Sequence, residues 1–148
     1  MRALEHEHAG RQRVVAEIRK SIARPYRDFI TWGSLYEVAN EEEEERRREQ
    51  VSRSLGDLRN RYLPRSMWLE PGTRKKIEAF MEEAGELLEE LSEDVEDLGY
   101  ARARSEIARR VTRELGPLRK EVEAGLEAEL SAPEPGRWRG RLRRNAGR

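Results

Sequence analysis

The chain has 148 residues, a length typical of one domain, and 41% of them are charged, whereas about 25% are charged in an average globular protein. Its 30 basic and 30 acidic side chains cancel, only 36% of its residues are hydrophobic, and its mean hydropathy is −0.99, which argues against a large core with a deep substrate pocket. The sequence contains no cysteine, which excludes disulfides, thiolate metal sites and a cysteine nucleophile.

The choice of charged residues favours helices. Of the basic residues 26 are Arg, and of the acidic residues 26 are Glu, both of which are good helix formers. The first predicted helix covers residues 11–23, where apolar residues recur at helical spacing, and Pro25 is expected to interrupt it. Residues 26–38 form the most aromatic stretch of the chain, which we expect to pack inside, with a partner-binding surface as the alternative.

The second predicted helix starts with an acidic run at residues 41–45, directly followed by three arginines. Three glutamates of the run lie four residues before an arginine, which is the favourable spacing for ion pairs, so we interpret the run as a solvated helix face. An apolar row follows on the same helix, and Pro64 is expected to end it. The pairs are Glu42 with Arg46, Glu43 with Arg47 and Glu44 with Arg48, and the apolar row consists of Val51, Leu55, Leu58 and Tyr62.

Pro71 marks the start of the third predicted helix, because proline is well tolerated in a first helical turn. Apolar residues then recur every seven residues in three rows. Such a stripe is wider than a two-stranded coiled coil needs, so we expect the helix to pack against two neighbours and to bind a second copy of the chain or another helical protein. The predicted packing stripe consists of Ile77, Phe80, Met81, Ala84, Leu87, Leu88, Leu91, Val95 and Leu98.

Gly99 and Tyr100 form a predicted turn between an acidic and a basic segment. Residues 70–98 carry a net charge of −8 and residues 99–120 a net charge of +5, so the two segments attract each other if the chain folds back on itself. Gly116 and Pro117 are expected to divide or kink the helical stretch that follows. These elements together predict an all-α fold, an elongated antiparallel helical bundle with coiled-coil-like packing, over residues 1–131.

The last segment, residues 132–148, is predicted to be a flexible and disordered basic tail rich in Pro, Gly and Arg, because Pro133, Pro135 and Gly136 stop helix formation before it. Arginines interleaved with glycine and a tryptophan suit contact with nucleic acid phosphates and a stacked base, or with an anionic membrane surface. The predicted polyanion-binding residues are Arg137, Trp138, Arg139, Arg141, Arg143 and Arg144.

Three stretches of the chain resemble a loosely defined group of uncharacterised bacterial and archaeal helical proteins. Residues 4–18 are similar to the entry motif of that group, in which a histidine and an arginine precede a Val-rich helix. Residues 63–80 resemble its central linker and helix start, and residues 115–130, a Pro-Leu pair before a short amphipathic helix, resemble its closing helix. The resemblance implies a coiled-coil-like helical module that often follows a transmembrane segment, and it implies no catalytic residues.

Residues that could carry chemistry are sparse. The two histidines, His6 and His8, stand near the start of the chain, and we interpret them as part of a frayed surface terminus. Glu5 and His8 have the E-x-x-H spacing of di-iron bundles, but the sequence lacks the second histidine motif that such a site requires. We identify no phosphate-binding glycine loop and no nucleophile elbow. The sequence therefore predicts no catalytic, cofactor-binding or metal-binding residues.

The sequence favours a non-catalytic helical interaction or scaffold protein, which acts through oligomerisation or by packing against a partner helix. The alternative is an accessory protein tethered to nucleic acid or to the inner membrane surface by its Arg-rich tail, and any such contact is expected to be weak. No small-molecule substrate is expected. Because we identify no signal peptide and no apolar run of about 18 residues, we expect the protein to be cytoplasmic.

Overall fold

A computed structural model of the protein describes residues 2–34 and 40–131, with side chains from His6 onward. Its elements are α1 (Arg2–Trp32), α2 (Glu41–Arg65), a 3₁₀ turn (Ser66–Trp68), α3 (Pro71–Leu98), α4 (Tyr100–Arg110), a π-helical turn (Val111–Leu115) and α5 (Gly116–Ser131). These two ranges contain helices and no strand, which confirms the predicted all-α class.

Neighbouring helices run antiparallel. Helix α1 packs along α2 and along α5, and α3 packs along α2 on one side and along α4 and α5 on the other. The predicted attraction between the acidic and the basic segment is confirmed by an ion pair across α3 and α4, in which Arg110 Nη2 lies 2.6 Å from Glu90 Oε2. The start of α3 and the end of α5 also lie together, because the Thr73 hydroxyl donates to the Gly125 carbonyl at 3.5 Å.

Helix α1 continues through Pro25, so the prediction that this proline interrupts the first helix is wrong. Proline in a helix interior costs about 3 kcal/mol, since it removes one backbone hydrogen bond and crowds the preceding turn. Pro25 is buried, and Ile22 and Phe29 on either side of it are fully buried as well. Burial on both sides of the proline therefore offsets the cost of keeping one helix. His6 and His8 lie within this helix, which corrects their interpretation as a frayed terminus.

Gly99 ends α3 and begins α4, as the predicted turn at Gly99–Tyr100 requires. Its φ of 82° and ψ of 153° lie in a region that is nearly restricted to glycine. Its N–H donates to the Val95 carbonyl at 2.9 Å, and the Tyr100 hydroxyl then donates to the Trp32 carbonyl at 2.5 Å. The turn is thereby tied to the end of α1.

The helix does not break at Gly116 and Pro117 but passes through a π-helical turn just before them. Along α4, the π-helical turn and α5, which we call the rod, buried residues recur every four residues from Ala103 to Leu115. At 100° per residue, each step of four rotates a side chain by about 40° away from the core, or about 120° over three steps. The extra residue of the π-helical turn corrects most of this drift, and the Gly116 N–H donates to the Val111 carbonyl five residues back.

The acidic start of α2 is only partly a solvated face. Two of the three predicted pairs are confirmed, and the first of them joins Arg47 to Glu43 at 2.9 Å. Arg46 contacts Glu43 rather than the predicted Glu42. Glu44 pairs with Arg48 at 3.3 Å, also as predicted, yet Glu44 is buried and accepts a hydrogen bond from Trp32 Nε1 at 3.1 Å. The interpretation as a solvated face is therefore wrong for Glu44, which fastens the start of α2 to the end of α1.

Candidate functional site at the α2–α3 elbow

The predicted packing stripe of α3 faces the chain's own core. Seven of its nine residues are buried, Leu88 is half-buried, and Leu98 is 54% exposed. Two helical neighbours cover the stripe, as its width predicted, but both belong to the same chain. The assignment of the seven as a partner-binding surface is therefore corrected, because in this fold they have no surface left for a partner. These seven are Ile77, Phe80, Met81, Ala84, Leu87, Leu91 and Val95.

Exposed apolar side chains gather instead where α2 meets α3. We call residues 63–70 the elbow. Leu63 is 63% exposed, Met67 79% and Trp68 39%, and these three residues lie within six positions of one another. Large exposed apolar side chains are ordinary when scattered but indicate an interaction surface when they cluster. We call these three residues the elbow cluster.

The elbow has a defined backbone. Helix α2 passes Pro64 and ends at Arg65, one residue later than predicted, and the 3₁₀ turn follows directly. Leu69 then takes an extended conformation with its side chain buried, and α3 begins at Pro71, as predicted from its preference for the first helical turn. The buried Leu69 holds the elbow against the bundle, while the cluster residues before it point outward.

Trp68 lies against α1 at Gly10. A Cβ atom added at Gly10 would lie 2.9 Å from Cζ3 of the Trp68 ring, closer than any real side chain permits. The tryptophan can therefore rest on the helix only because residue 10 is glycine. The part of the ring around Cζ3 and Cη2 is covered in this way, and the side chain remains 39% exposed.

A buried carboxylate fastens the elbow to the end of α5. Glu129 is 3% exposed, and its Oε1 accepts a hydrogen bond from the Glu70 backbone N–H at 2.6 Å. Its Oε2 lies 3.8 Å from Nε of Arg11 on α1. One side chain thus joins α1, α5 and the residue that caps α3, and it holds the end of the elbow against the bundle.

The elbow is basic. Residues 59–76 contain six basic side chains and one acidic side chain, a net charge of +5. Arg59, Arg61 and Lys75 are exposed, and Arg65 forms an ion pair with Glu17 of α1. The six basic residues are Arg59, Arg61, Arg65, Arg74, Lys75 and Lys76, and the acidic one is Glu70.

Tyr62 lies one turn before the elbow and is buried. Burial, and secondarily the negative charge of Glu78, raise the pKa of Tyr62 to about 12, although the nearby Arg74 acts in the opposite direction. The phenol therefore stays protonated at neutral pH and belongs to the core rather than to a reactive site.

A separate, concave feature is the groove between α2 and α3, nearer the other end of these helices. It has a volume of about 670 Å³, and Leu88 is its one apolar lining residue. Most of its lining is charged, and Arg48 spans it to within 3.7 Å of Glu96. The groove offers a partner helix little apolar surface, so we regard it as a weaker candidate than the elbow.

Two titratable groups on α3 and α4 have shifted pKa values with local causes. Burial, and then repulsion from Glu114, raise the pKa of Glu83, and the hydrogen bond to Glu90 raises the pKa of Arg110. Across residues 2–34 and 40–131, no cluster of three or more His, Asp or Glu side chains could hold a metal ion. Over the same residues, none of the helices is both long enough and apolar enough to cross a membrane.

None of the comparisons with protein-family models, curated proteins and solved structures gives a match. The predicted polyanion-binding residues, from Arg137 to Arg144, lie outside the described residues, as does the whole segment 132–148. Residues 35–39, which include the end of the aromatic stretch 26–38, also lie outside the described residues. In the described part of this stretch, Phe29 and Trp32 pack inside as predicted, Tyr26 is half-buried, and Ile30 is exposed.

The elbow cluster was not predicted from the sequence, because the prediction relied on regular apolar spacing and the cluster lies where that spacing stops. The signal that could have found it is that Leu63, Met67 and Trp68 fall outside the apolar row of α2 and lie close to a proline. Large apolar residues that cluster outside such a row are candidates for an interaction surface.

Proposed function

We propose that the protein is a non-catalytic helical interaction or scaffold module whose contact surface is the elbow. The observation that carries this proposal is the exposure of Leu63, Met67 and Trp68 together at one end of a bundle that otherwise buries most of its large apolar residues. A cluster of exposed apolar side chains lowers the solubility of a protein, and its common role in folded proteins is to bind a partner.

The fixed geometry of the elbow supports the same proposal. Leu69 is buried beneath it, Trp68 rests on Gly10, and Glu129 holds the backbone of Glu70. A surface that is already ordered loses little conformational freedom when it binds, so more of its contact energy appears as affinity. The partners expected from the sequence, a second copy of the chain or another helical protein, would meet this surface rather than the stripe of α3.

Crosslinking in the source cell tests the proposal for a partner of any chemistry. A photoreactive amino acid is placed at Met67, and the same amino acid at Glu89, an exposed residue midway along α3, serves as the control. We expect an adduct at position 67 that is absent at position 89, with mass spectrometry identifying the attached molecule. Equal labelling at the two positions would show that the elbow is ordinary solvated surface.

A second candidate function is tethering to a polyanion through the Arg-rich tail. Two features support it: residues 59–76 carry a net charge of +5, and α5 ends at Ser131, at the same end of the bundle as the elbow. The tail continues from that residue with six arginines and one acidic residue. Truncation after Ala132 tests it, since binding to nucleic acid or to acidic lipid at low salt should disappear while the melting temperature changes by no more than about 1 to 2 °C.

A further inference from the structure

We infer that the elbow docks on the surface of an anionic lipid bilayer. This inference rests on the proposed function and names the partner of the same surface. The elbow cluster supplies the apolar contact, and the basic residues around it supply the attraction to negatively charged headgroups.

The shape of the elbow favours a bilayer as its occupant. The cluster lies at the outer bend of a helical hairpin, and its two most exposed residues are Leu63 and Met67. Apolar side chains exposed at a bend between two helices need a matching cavity on a protein partner, whereas the boundary between headgroups and acyl chains adapts to side chains in any arrangement. Trp68 adds a side chain that prefers this boundary, where its apolar ring and its indole N–H are both accommodated.

The charges around the tip suit negatively charged headgroups. Clusters of four to eight basic residues beside an apolar anchor are typical of binding to acidic lipids, and residues 59–76 contain six. Exposed Arg59, Arg61 and Lys75 can keep their charged groups at headgroup level while their aliphatic stems cover the apolar tip.

Charge also sets the orientation of the bundle. Residues 78–98 of α3 contain ten acidic side chains and no basic side chain, and they lead away from the elbow toward the opposite end. The basic segment 99–120 packs along α3 and offsets part of this charge, which leaves a net charge of −5 over residues 78–120. A negatively charged surface therefore attracts the basic residues beside the elbow and repels the far part of the bundle, which favours an end-on orientation.

Nucleic acid fits the same features less well. Proteins that bind single strands combine a basic groove with aromatic rings on which successive bases stack. The elbow offers a single aromatic ring, and Gly10 already lies against the Cζ3 and Cη2 atoms of that ring. Leu63 and Met67 gain nothing from a phosphate backbone but gain burial from a bilayer.

Vesicle sedimentation with the full-length chain tests the inference. The probes are vesicles of phosphatidylcholine alone and vesicles of phosphatidylcholine mixed with phosphatidylglycerol, and the variants are Met67→Asp, Met67→Ser and Leu98→Asp. Leu98 is the matched control, because it is also more than half exposed but lies at the opposite end of α3. Melting curves check that each variant is folded, which we expect because both positions are exposed.

We expect binding to the mixed vesicles and little binding to phosphatidylcholine alone. Met67→Asp should weaken binding at least about tenfold, Met67→Ser should weaken it less, and Leu98→Asp should leave it unchanged. Added salt should also weaken it. A chain truncated after Ala132 should still bind the mixed vesicles and should show the same loss from Met67→Asp, whereas tethering by the tail alone predicts that truncation abolishes binding.

Three results would overturn the inference. The first is equal binding by Met67→Asp and Leu98→Asp, and the second is a Met67→Asp defect that affects a single-stranded oligonucleotide rather than the vesicles. The third is a protein adduct at position 67 in the cell without any vesicle binding, which rejects the lipid partner but leaves the proposed function intact. Absence of any adduct at position 67, by contrast, rejects the proposed function itself.

Discussion

Replacing Glu129 by alanine tests how firmly the elbow is fastened. The substitution removes the carboxylate that accepts the Glu70 N–H at 2.6 Å and that lies 3.8 Å from Arg11. A hydrogen bond to a charged group contributes about 1.5 to 3 kcal/mol net, and the small void left behind adds to the loss. We expect Glu129→Ala to lower the free energy of unfolding by about 2 to 3 kcal/mol, or the melting temperature by about 4 to 12 °C.

Two further variants make the measurement specific. Glu129→Gln keeps an oxygen acceptor for the Glu70 N–H but removes the charge, so it should lose about half as much stability. Glu127→Ala removes a glutamate from the same helix at an exposed position and should change stability by no more than about 0.5 kcal/mol. Urea unfolding followed by circular dichroism gives all three values from the midpoints and slopes. If Glu129→Ala behaved like Glu127→Ala, the fastening described for the elbow would be wrong.

Three other predictions test the core and the turn. In the folded chain, chiefly burial raises the pKa of Tyr62 to about 12, whereas an unfolded tyrosine titrates near 10. The free energy of unfolding should therefore fall as the pH rises from about 10 to 12. Urea unfolding at several pH values should show a smaller fall for Tyr62→Phe. Gly99→Ala should lower the free energy of unfolding by about 1 to 3 kcal/mol, because the φ of Gly99 is positive. Gly85→Ala, inside α3 with open space around it, should raise it by about 0.5 to 1 kcal/mol. Thermal melts that shift both variants in the same direction would contradict this. Leu91→Ala should cost about 2 to 5 kcal/mol and Leu88→Ala roughly 1 kcal/mol by urea unfolding, since only Leu91 is fully buried; equal losses would show that the groove beside Leu88 is closed.

Regular spacing made most of the fold predictable. The heptad rows of α3, the start at Pro71 and the turn at Gly99 follow from period and from the geometry of single residues, and the structure confirms them. The continuation through Pro25 was not predictable in this way, because it depends on burial supplied by other helices. Local preference is a weak guide where tertiary packing opposes it.

Glu44 illustrates a pattern that was present in the sequence but outweighed by composition. It precedes Val51 and Leu58 by seven and fourteen residues, so it shares their row on α2 and their burial. Five consecutive glutamates suggested solvent, and the acceptor role toward Trp32 could not be seen without knowing that the end of α1 lies beside the start of α2.

The candidate site was less predictable than the fold. A wide apolar stripe is consistent with two neighbours from the same chain or from another chain, and sequence periodicity alone does not distinguish between them. The elbow cluster has no period, and its exposure follows from the way Leu69 and Glu70 are held by the bundle. Contacts between residues far apart in sequence decided both outcomes.

The π-helical turn at Val111–Leu115 gives this part of the chain an unusual tolerance to changes in length. Deleting one residue from an ordinary helix such as α3 rotates everything beyond the deletion by about 100° and turns buried leucines toward water. Deleting one residue within the π-helical turn would instead restore a regular α-helix there, and the bulge absorbs the rotation locally. The fold can therefore tolerate the loss of one residue in the π-helical turn, whereas α3 tolerates only changes that preserve its length.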